Sequence, residues 1–517
     1  MVSTFNGLEV AKRGLFTQQS ALYTTSHNIA NANTPGYTRQ RVNFEQTSPY
    51  PSPARNREQI AGQIGSGVQA GSIERVRTQF LDDQYRGENN RTGYYDSISS
   101  AMGRLEQVMN EPSENGLSKT MDRFWQSLQD LSVNPEDSGA RSVVRQRGKA
   151  VAETFNYLSN TINTMQKDIK SETDVTKKEI NSLSSQINTI NKQIAEVEPH
   201  GYVPNDLYDE RDRLIDQMSG LVNINVSYED PPSSADPLAM GKATISLVDD
   251  NGQNLSSKAT LVNGADNSVQ DIDIQYSTDN SALASSVSVG NTSYSAESFN
   301  SPGKLRALMD TAGYTTGNGE EQGVYSTMLH NLDTMATSFA NQFNEVQTSG
   351  ESLNTLDNNN TPPAFFSLEG STLKNGVQVG LAGSIDITEE MDDLDNIAAA
   401  SSSEAFAGNG DNAQALAEVQ QQSDPLLGEE TNLNSFYESL IGGMAVDAQE
   451  ASRLSNNSQT LKQSVDQSRQ SVSSVSLDEE MTNTIKYQHA YNAAARNITM
   501  VDEMLDRVIN QMGRVGR

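Results

Sequence analysis

The chain has 517 residues, a formal net charge of −30 from 67 acidic and 37 basic residues, and no cysteine. The length supports several domains. The charge argues against nucleic acid and anionic membranes as partners, because both are drawn to basic patches, and the missing cysteines exclude disulfides, thiolate metal sites and a cysteine nucleophile.

The first nine residues show no basic stretch followed by an apolar one, and no apolar run approaches a membrane span, so neither a signal peptide nor membrane insertion is expected. Leu8, Leu15, Leu22 and Ile29 recur every seven residues, which predicts a helix with a coiled-coil type of seam. The positions four before them are Thr4, Ala11, Gln18 and Thr25, so the seam is narrow and half polar. The helix is expected to stop in the string Asn28-Ile29-Ala30-Asn31-Ala32-Asn33-Thr34-Pro35-Gly36-Tyr37, where Pro35-Gly36 suits the centre of a type II turn. Residues 44–71 read as extended and loop-rich.

Helical periodicity returns over about 83–108, 117–131 and 138–197. In the last of these the apolar stripe slips by one residue near Glu172 to Lys178, which predicts a local change of winding. Arg141, Arg145, Arg147 and Lys149 carry no interleaved aromatics for stacking and read as a solvated helix face. A helix over 206–221 follows, with Asn205 placed to cap it. Residues 222–300 alternate in the manner of strands, as in Ala243-Thr244-Ile245-Ser246-Leu247 and Ile272-Asp273-Ile274-Gln275-Tyr276, with turn signals between them. A helix bearing Val324, Met328, Leu332, Met335, Phe339, Phe343 and Val346 on one face comes next, then loops and strands over about 348–410, then helices near 412–420 and 432–474. The last segment places Leu477, Met481, Thr484, Gln488, Tyr491, Ala495, Ile498, Val501, Leu505, Val508 and Met512 at a mean step of about 3.5, the coiled-coil period.

The expected fold is mainly α with an inserted all-β domain. A terminal α-helical coiled-coil layer joins a helical bundle built from both ends of the chain. The expected units are 1–55 with 475–517 as the coiled-coil domain, 56–221 with 301–474 as the helical domain, and 222–300 as the β insertion. Heptads at both ends, each too polar to form an ample core, are expected to be marginal alone and to serve subunit assembly. The seam residues Leu8, Leu15, Leu22, Ile29, Leu477, Met481, Tyr491, Ile498, Leu505 and Met512 are the candidates for that contact. Asn28, Asn31, Pro35, Gly36 and Tyr37 form the turn that lets the chain leave it.

No catalytic, cofactor or metal site is expected. His27, His200, His330 and His489 sit in no catalytic pattern, and no phosphate loop, nucleophile elbow or His-Glu-x-x-His string occurs. The acidic run Glu389, Glu390, Asp392, Asp393, Asp395 fails as a calcium loop, because Ile397 and Ala398 stand where an oxygen ligand and a glycine are needed.

The string ending at Tyr37, taken from Ser20, resembles the N-terminal motif shared by flagellar rod, hook and hook-associated proteins. Residues 475–481, continuing through Tyr487-Gln488-His489-Ala490-Tyr491 to Asp502-Glu503-Met504-Leu505, resemble the matching C-terminal motif. Three internal strings, 206–214, 332–344 with Phe365-Phe366, and 410–417, narrow the resemblance to the hook–filament junction type. The likeness runs nearly end to end and is thinnest between Val222 and Asn300. Gln347 and Leu353 stand where the pattern has His and Asp. The resemblance implies a structural subunit of the bacterial flagellum, not an enzyme, in a ring of its own copies between hook and filament. Implied partners are hook protein, hook-associated protein 3, the flagellar export machinery and an export chaperone. Export without a cleaved signal, and paired terminal helices around a channel, are implied as well. The competing readings are another axial flagellar protein of hook or rod type, a wall-degrading enzyme that travels with the rod, and a fibrous adhesin.

Overall fold

The structure, a computed structural model, describes residues 5–51, 55, 62–109, 116–256, 258–278, 280–356, 361–428 and 430–511. Thr4, residue 56 and Met512, singled out above, lie outside the described residues. Ten α-helices are described: α1 (Asn6–Ala30), α2 (Gln79–Met109), α3 (Leu117–Val133), α4 (Ser138–Val197), α5 (Asn205–Leu221), α6 (Lys304–Ala312), α7 (Val324–Ser349), α8 (Asp411–Glu418), α9 (Leu433–Ser473) and α10 (Leu477–Asp506). The architecture is predominantly helical with small sheets.

α4 is the spine. It starts on Asp137, whose carboxylate accepts from Gly139 N, and runs 60 residues without a break. No interruption marks the segment from Glu172 to Lys178 where a change of winding is expected. Between Ile169 and Ile180 the buried stripe passes through Thr173 and Thr176, which an apolar-only reading skips. The Thr173 hydroxyl satisfies itself on Ile169 O (2.8 Å), so a threonine there serves as well as a valine.

The two halves of α4 enter two cores. The first half packs with α2, α3, α7, α8 and the start of α9. Its centre is a run of touching rings, Phe124, Trp125, Phe155, Phe339, Phe343, Phe365 and Phe366, each at most 1% exposed. The second half, through Ile180, Ile187 and Ile194, packs with α5, α6 and two sheets. One sheet has the antiparallel order β3 (Ile224–Tyr228), β4 (Ala243–Leu247), β5 (Thr260–Asn263), β6 (Ser268–Val269), preceded in the chain by β1 (Gln40–Gln46) and β2 (Val68–Arg75), which pair with each other. The other links β7 (Ile272–Tyr276), β8 (Ala284–Val289), β10 (Tyr314–Thr315) and β11 (Glu321–Gln322), with β9 (Thr292–Ser295) also on β8. Period-two burial is clear in β4, where Ala243, Ile245 and Leu247 face inward.

Two local expectations are corrected. Arg141 is buried, not solvated: it donates to Pro135 O (2.8 Å), Leu394 O (3.1 Å) and Ile397 O (2.7 Å), pinning the 394–397 turn to α4. Asn205 does not cap α5 with its side chain. It is the first helical residue, and its Nδ2 donates to Ile73 O on β2 (2.9 Å). Gln347, one of the two departures from the family pattern, is fully buried and bonds Asn396 O (2.9 Å) and Ala398 N (3.2 Å).

Candidate assembly surface and its joint to the body

The two chain ends pair: α1 lies antiparallel to α10, while α2 lies along α9. A methyl group placed on Gly7 would sit 3.9 Å from Val501, and one on Gly14 would sit 4.0 Å from the Ala494 methyl. Asn28 Nδ2 bonds Glu480 Oε2 (3.2 Å). These contacts step by sevens in opposite directions, so a single register holds and sets Ala21 opposite Tyr487. The line of closest approach on α1 is therefore Gly7, Ala11, Gly14, Gln18, Ala21, Thr25 and Asn28. It falls one residue before the leucines at each turn.

Leu8, Leu15, Leu22 and Ile29 flank that line and stay half-buried. On α10, Tyr491, Ile498 and Leu505 are half-buried on the α1 side, whereas Leu477 and Met481 are exposed, at 49% and 59%. The seam read from the sequence already held Ala11, Gln18 and Thr25; Gly7, Gly14 and Ala21 were missed because glycine and alanine score as weakly apolar, although their heptad spacing was the available signal. The outer faces are conspicuously apolar. Phe16 and Tyr23, one heptad apart on α1, are 55% and 67% exposed, and Ile485, Met500 and Met504 on α10 exceed 50%.

The turn motif closes the far end of the pair. Tyr37 N donates to Thr34 O (3.2 Å), and Gly36 takes φ +84°, as a type II turn requires; a methyl group placed on it would sit 3.3 Å from the Arg213 side chain. Asn31 Nδ2 donates to His27 O (3.1 Å) and closes the helix. Asn28, buried, uses its whole amide: Nδ2 donates to Gln40 O (2.8 Å) as well as Glu480, and Oδ1 accepts from Gln40 N (3.0 Å) and Tyr37 Oη (2.8 Å). Burial, followed by the Asp206, Asp209 and Glu480 carboxylates, pushes the Tyr37 hydroxyl up, so it remains a donor. His27 Nδ1 lies 3.0 Å from Tyr37 Oη. Arg39 completes the clasp with Glu480 Oε1 (2.8 Å) and Glu479 (2.6 Å).

Below the turn lies a buried ionic cluster. Asp209 on α5 accepts from Thr38 N (3.0 Å) and from Arg75 (2.9 Å). Asp212 receives Arg75 (2.9 Å) and Arg77 (3.2 Å), while Arg77 also reaches Asp82 on α2 (2.6 Å). Asp216 joins Arg86 of α2 (3.0 Å) to Arg469 of α9 (2.5 Å). Burial alone would raise the Asp212 carboxyl, but Arg77, Arg75, Arg211 and Arg86 outweigh it and hold it well below the usual range. Asp209 is the converse: burial outweighs Arg75 and the Thr38 bond and leaves it raised. The sequence flagged 206–214 only as a family string; its acidic residues on consecutive turns of α5 were the visible sign of this cluster.

Three family models match the chain at these places. Residues 102–366 match the flagellar hook-associated protein FlgK helical domain, 466–512 the C-terminal region of flagellar basal body rod FlgEFG proteins, and 8–38 the flagella basal body rod protein. The whole chain is 45% identical over 517 residues to flagellar hook-associated protein 1 of Bacillus subtilis (strain 168), covering 100% of both. The chain belongs to the flagellar hook-associated protein 1 family. Its likeness to the protein of that name from Salmonella typhimurium is 25%, over 97% of this chain and 98% of that one. In fold it is similar to the flagellar hook junction protein FlgK from Burkholderia pseudomallei, with a TM-score of 0.57 at 14% identity, over 76% of this chain and 100% of that one. As a member of the hook-associated protein 1 family the chain is a structural axial component of the bacterial flagellum.

Proposed function

We propose that the chain forms the junction ring between hook and filament, with α1 and α10 as the coiled-coil layer through which its copies meet each other and the neighbouring axial proteins. The observation that carries this is the character of the terminal pair. It closes on itself along small and polar residues, while Phe16, Tyr23, Ile485, Met500 and Met504 face outward. Large apolar side chains on the outer faces of a thin helix pair mark a contact surface. Leu8, Leu15, Leu22 and Ile29, half-covered by α10, form the rim such a contact would finish burying. The β region between α5 and α7 acts as an insertion carried on the spine. Hook protein lies on one side and hook-associated protein 3 on the other. The chain reaches its place unfolded through the flagellar export machinery, with a chaperone covering its apolar ends.

Flagella of a strain lacking the protein test the reading. Hooks without filaments, with filament protein lost to the medium, are expected. Filaments of normal length on such hooks would refute it. Re-expression of a Phe16→Ser, Tyr23→Ser variant should fail to restore filaments although its monomer folds.

A further inference from the structure

Arg211 on α5 is fully buried and poorly supplied with acceptors. Its guanidinium lies over the rings of Tyr208 and Tyr228, 5.0 and 4.8 Å from their centroids. Nη1 donates to Gly241 O (2.8 Å). Nε has no hydrogen-bond acceptor, and Nη2 faces the sulfur of Met240 at 4.0 Å. A second guanidinium meets the same sulfur. Arg75 gives Nη1 to Asp209 and Asp212 and aims Nη2 at Met240 Sδ, 2.8 Å away. That separation suits an oxygen acceptor, whose range is about 2.7–3.2 Å, whereas a thioether is a weak one. Buried charged donors left without good acceptors carry a free-energy cost.

The backbone fixes the sulfur between the two arginines. Met240 N donates to Tyr208 Oη (3.1 Å), and Gly241 N donates to Glu198 Oε1 (2.9 Å). The Met240 side chain is half-buried and lines an open cavity of about 240 Å³, shared with Arg75, Tyr208, Asp212 and Tyr228. A water molecule takes up about 30 Å³ in the liquid, so a small solute has room to reach the sulfur.

We propose that Met240 is a modification site, oxidised by hydrogen peroxide to the sulfoxide, and that Arg75 and Arg211 receive the new oxygen. The sulfur lone pair attacks one peroxide oxygen. An S–O bond forms as the O–O bond breaks, and the departing hydroxide takes the proton of the transferred oxygen and leaves as water. Sulfur loses two electrons and peroxide gains them. Sulfoxidation ordinarily disrupts a packed site, because it turns an apolar side chain polar. Here two buried guanidinium groups aim N–H donors at a thioether, so the same step supplies a strong acceptor where a weak one stood. Oxidation therefore tightens the 229–242 loop against α5. Among the described residues neither α1 nor α10 contributes to the site, and the site does not depend on what the chain assembles with.

Full-length protein treated with hydrogen peroxide at neutral pH and read by fragment-ion mass spectrometry tests this. Met240 should oxidise at least roughly tenfold faster than Met218 and Met309, which are buried in the same core. Met481, Met500 and Met504 are exposed on α10 and oxidise as well, so the treated Met240→Leu variant is the control. Amide exchange over residues 238–242 should slow roughly threefold on oxidation of the parent and stay unchanged in the treated Met240→Leu variant. Met240→Gln, which brings an amide oxygen to the two arginines, should show the slow exchange without peroxide. Met240 oxidising no faster than Met218 overturns the proposal. So does exchange that quickens on oxidation, or that slows equally in treated Met240→Leu, where the α10 sulfoxides would be the cause.

Discussion

The helical body and the terminal pair are both built by packing helices side by side and hold together in opposite ways. The body holds a cluster of seven aromatic rings, each at 1% exposure or less, against α4. The pair closes along Gly7, Gly14, Ala21 and Asn28, and every large apolar residue described on α10 remains at least half exposed or half-buried. The difference teaches where each finds its stability. A ring cluster supplies the free energy for its own ordering. A seam of small residues permits close approach but returns little for the entropy of fixing two long helices. The body is a finished fold, and the pair is a half-finished one.

The sharpest way to break that contrast is at the ring cluster. Phe339→Ala, which strips contacts to Phe124, Trp125, Phe155, Phe343 and Phe366, should destabilise the body by about 3–5 kcal/mol. A urea melt followed on Trp125 measures it, and a loss below about 1 kcal/mol would place the body's stability elsewhere. Asp212→Asn comes next, at about 3 kcal/mol near neutral pH, since it removes the buried charge that Arg75 and Arg77 share and leaves each with one carboxylate, Asp209 and Asp82. Asp212 is depressed in the folded chain, so its contribution is present above the ordinary carboxylate value near ~3.9 and is lost as the pH falls below it. The gap between Asp212→Asn and the parent should accordingly close in acid. A gap independent of pH would show that the loss is one of packing.

Smaller effects belong to the pair. Gly36→Val forces a β-branched residue to positive φ against Arg213 and should cost about 1–3 kcal/mol, visible as faster amide exchange in α1 and α10 with the Trp125 melt unmoved. Gly14→Leu, meeting Ala494 head-on, should raise exchange along the same two helices. Limited proteolysis of the monomer should remove both ends before it cuts α4. Resistant ends would mean that the pair needs no neighbour. Smallest of all, Phe16→Ser should move monomer stability by less than about 0.5 kcal/mol, and would lower assembly on hook ends instead.

Most helices were legible because a buried stripe repeats at the helical period whatever its neighbours are. α4 begins and ends where its pattern does. The errors share a cause: reading chemistry by residue class. Thr173 and Thr176 continue a buried stripe that looked broken, Arg141 is a core residue bonded to carbonyls, and Gly7 and Gly14, beside the leucines, bring α1 close to α10. Arg141 and the two glycines depend on partners distant in the chain, which periodicity cannot supply. The same holds for the ionic cluster. Asp209 and Asp212 become informative only once β2 lies against α5.

The chain crosses between the terminal helices and the body at residues 76–78 and 474–476, and these two adjacent crossings have a mechanical meaning. A pull along the terminal helices reaches the body as tension in two covalent strands, tied side by side through the backbone of Arg39. The bonds to α5 lie across that path. They set the angle at which the terminal helices leave the body.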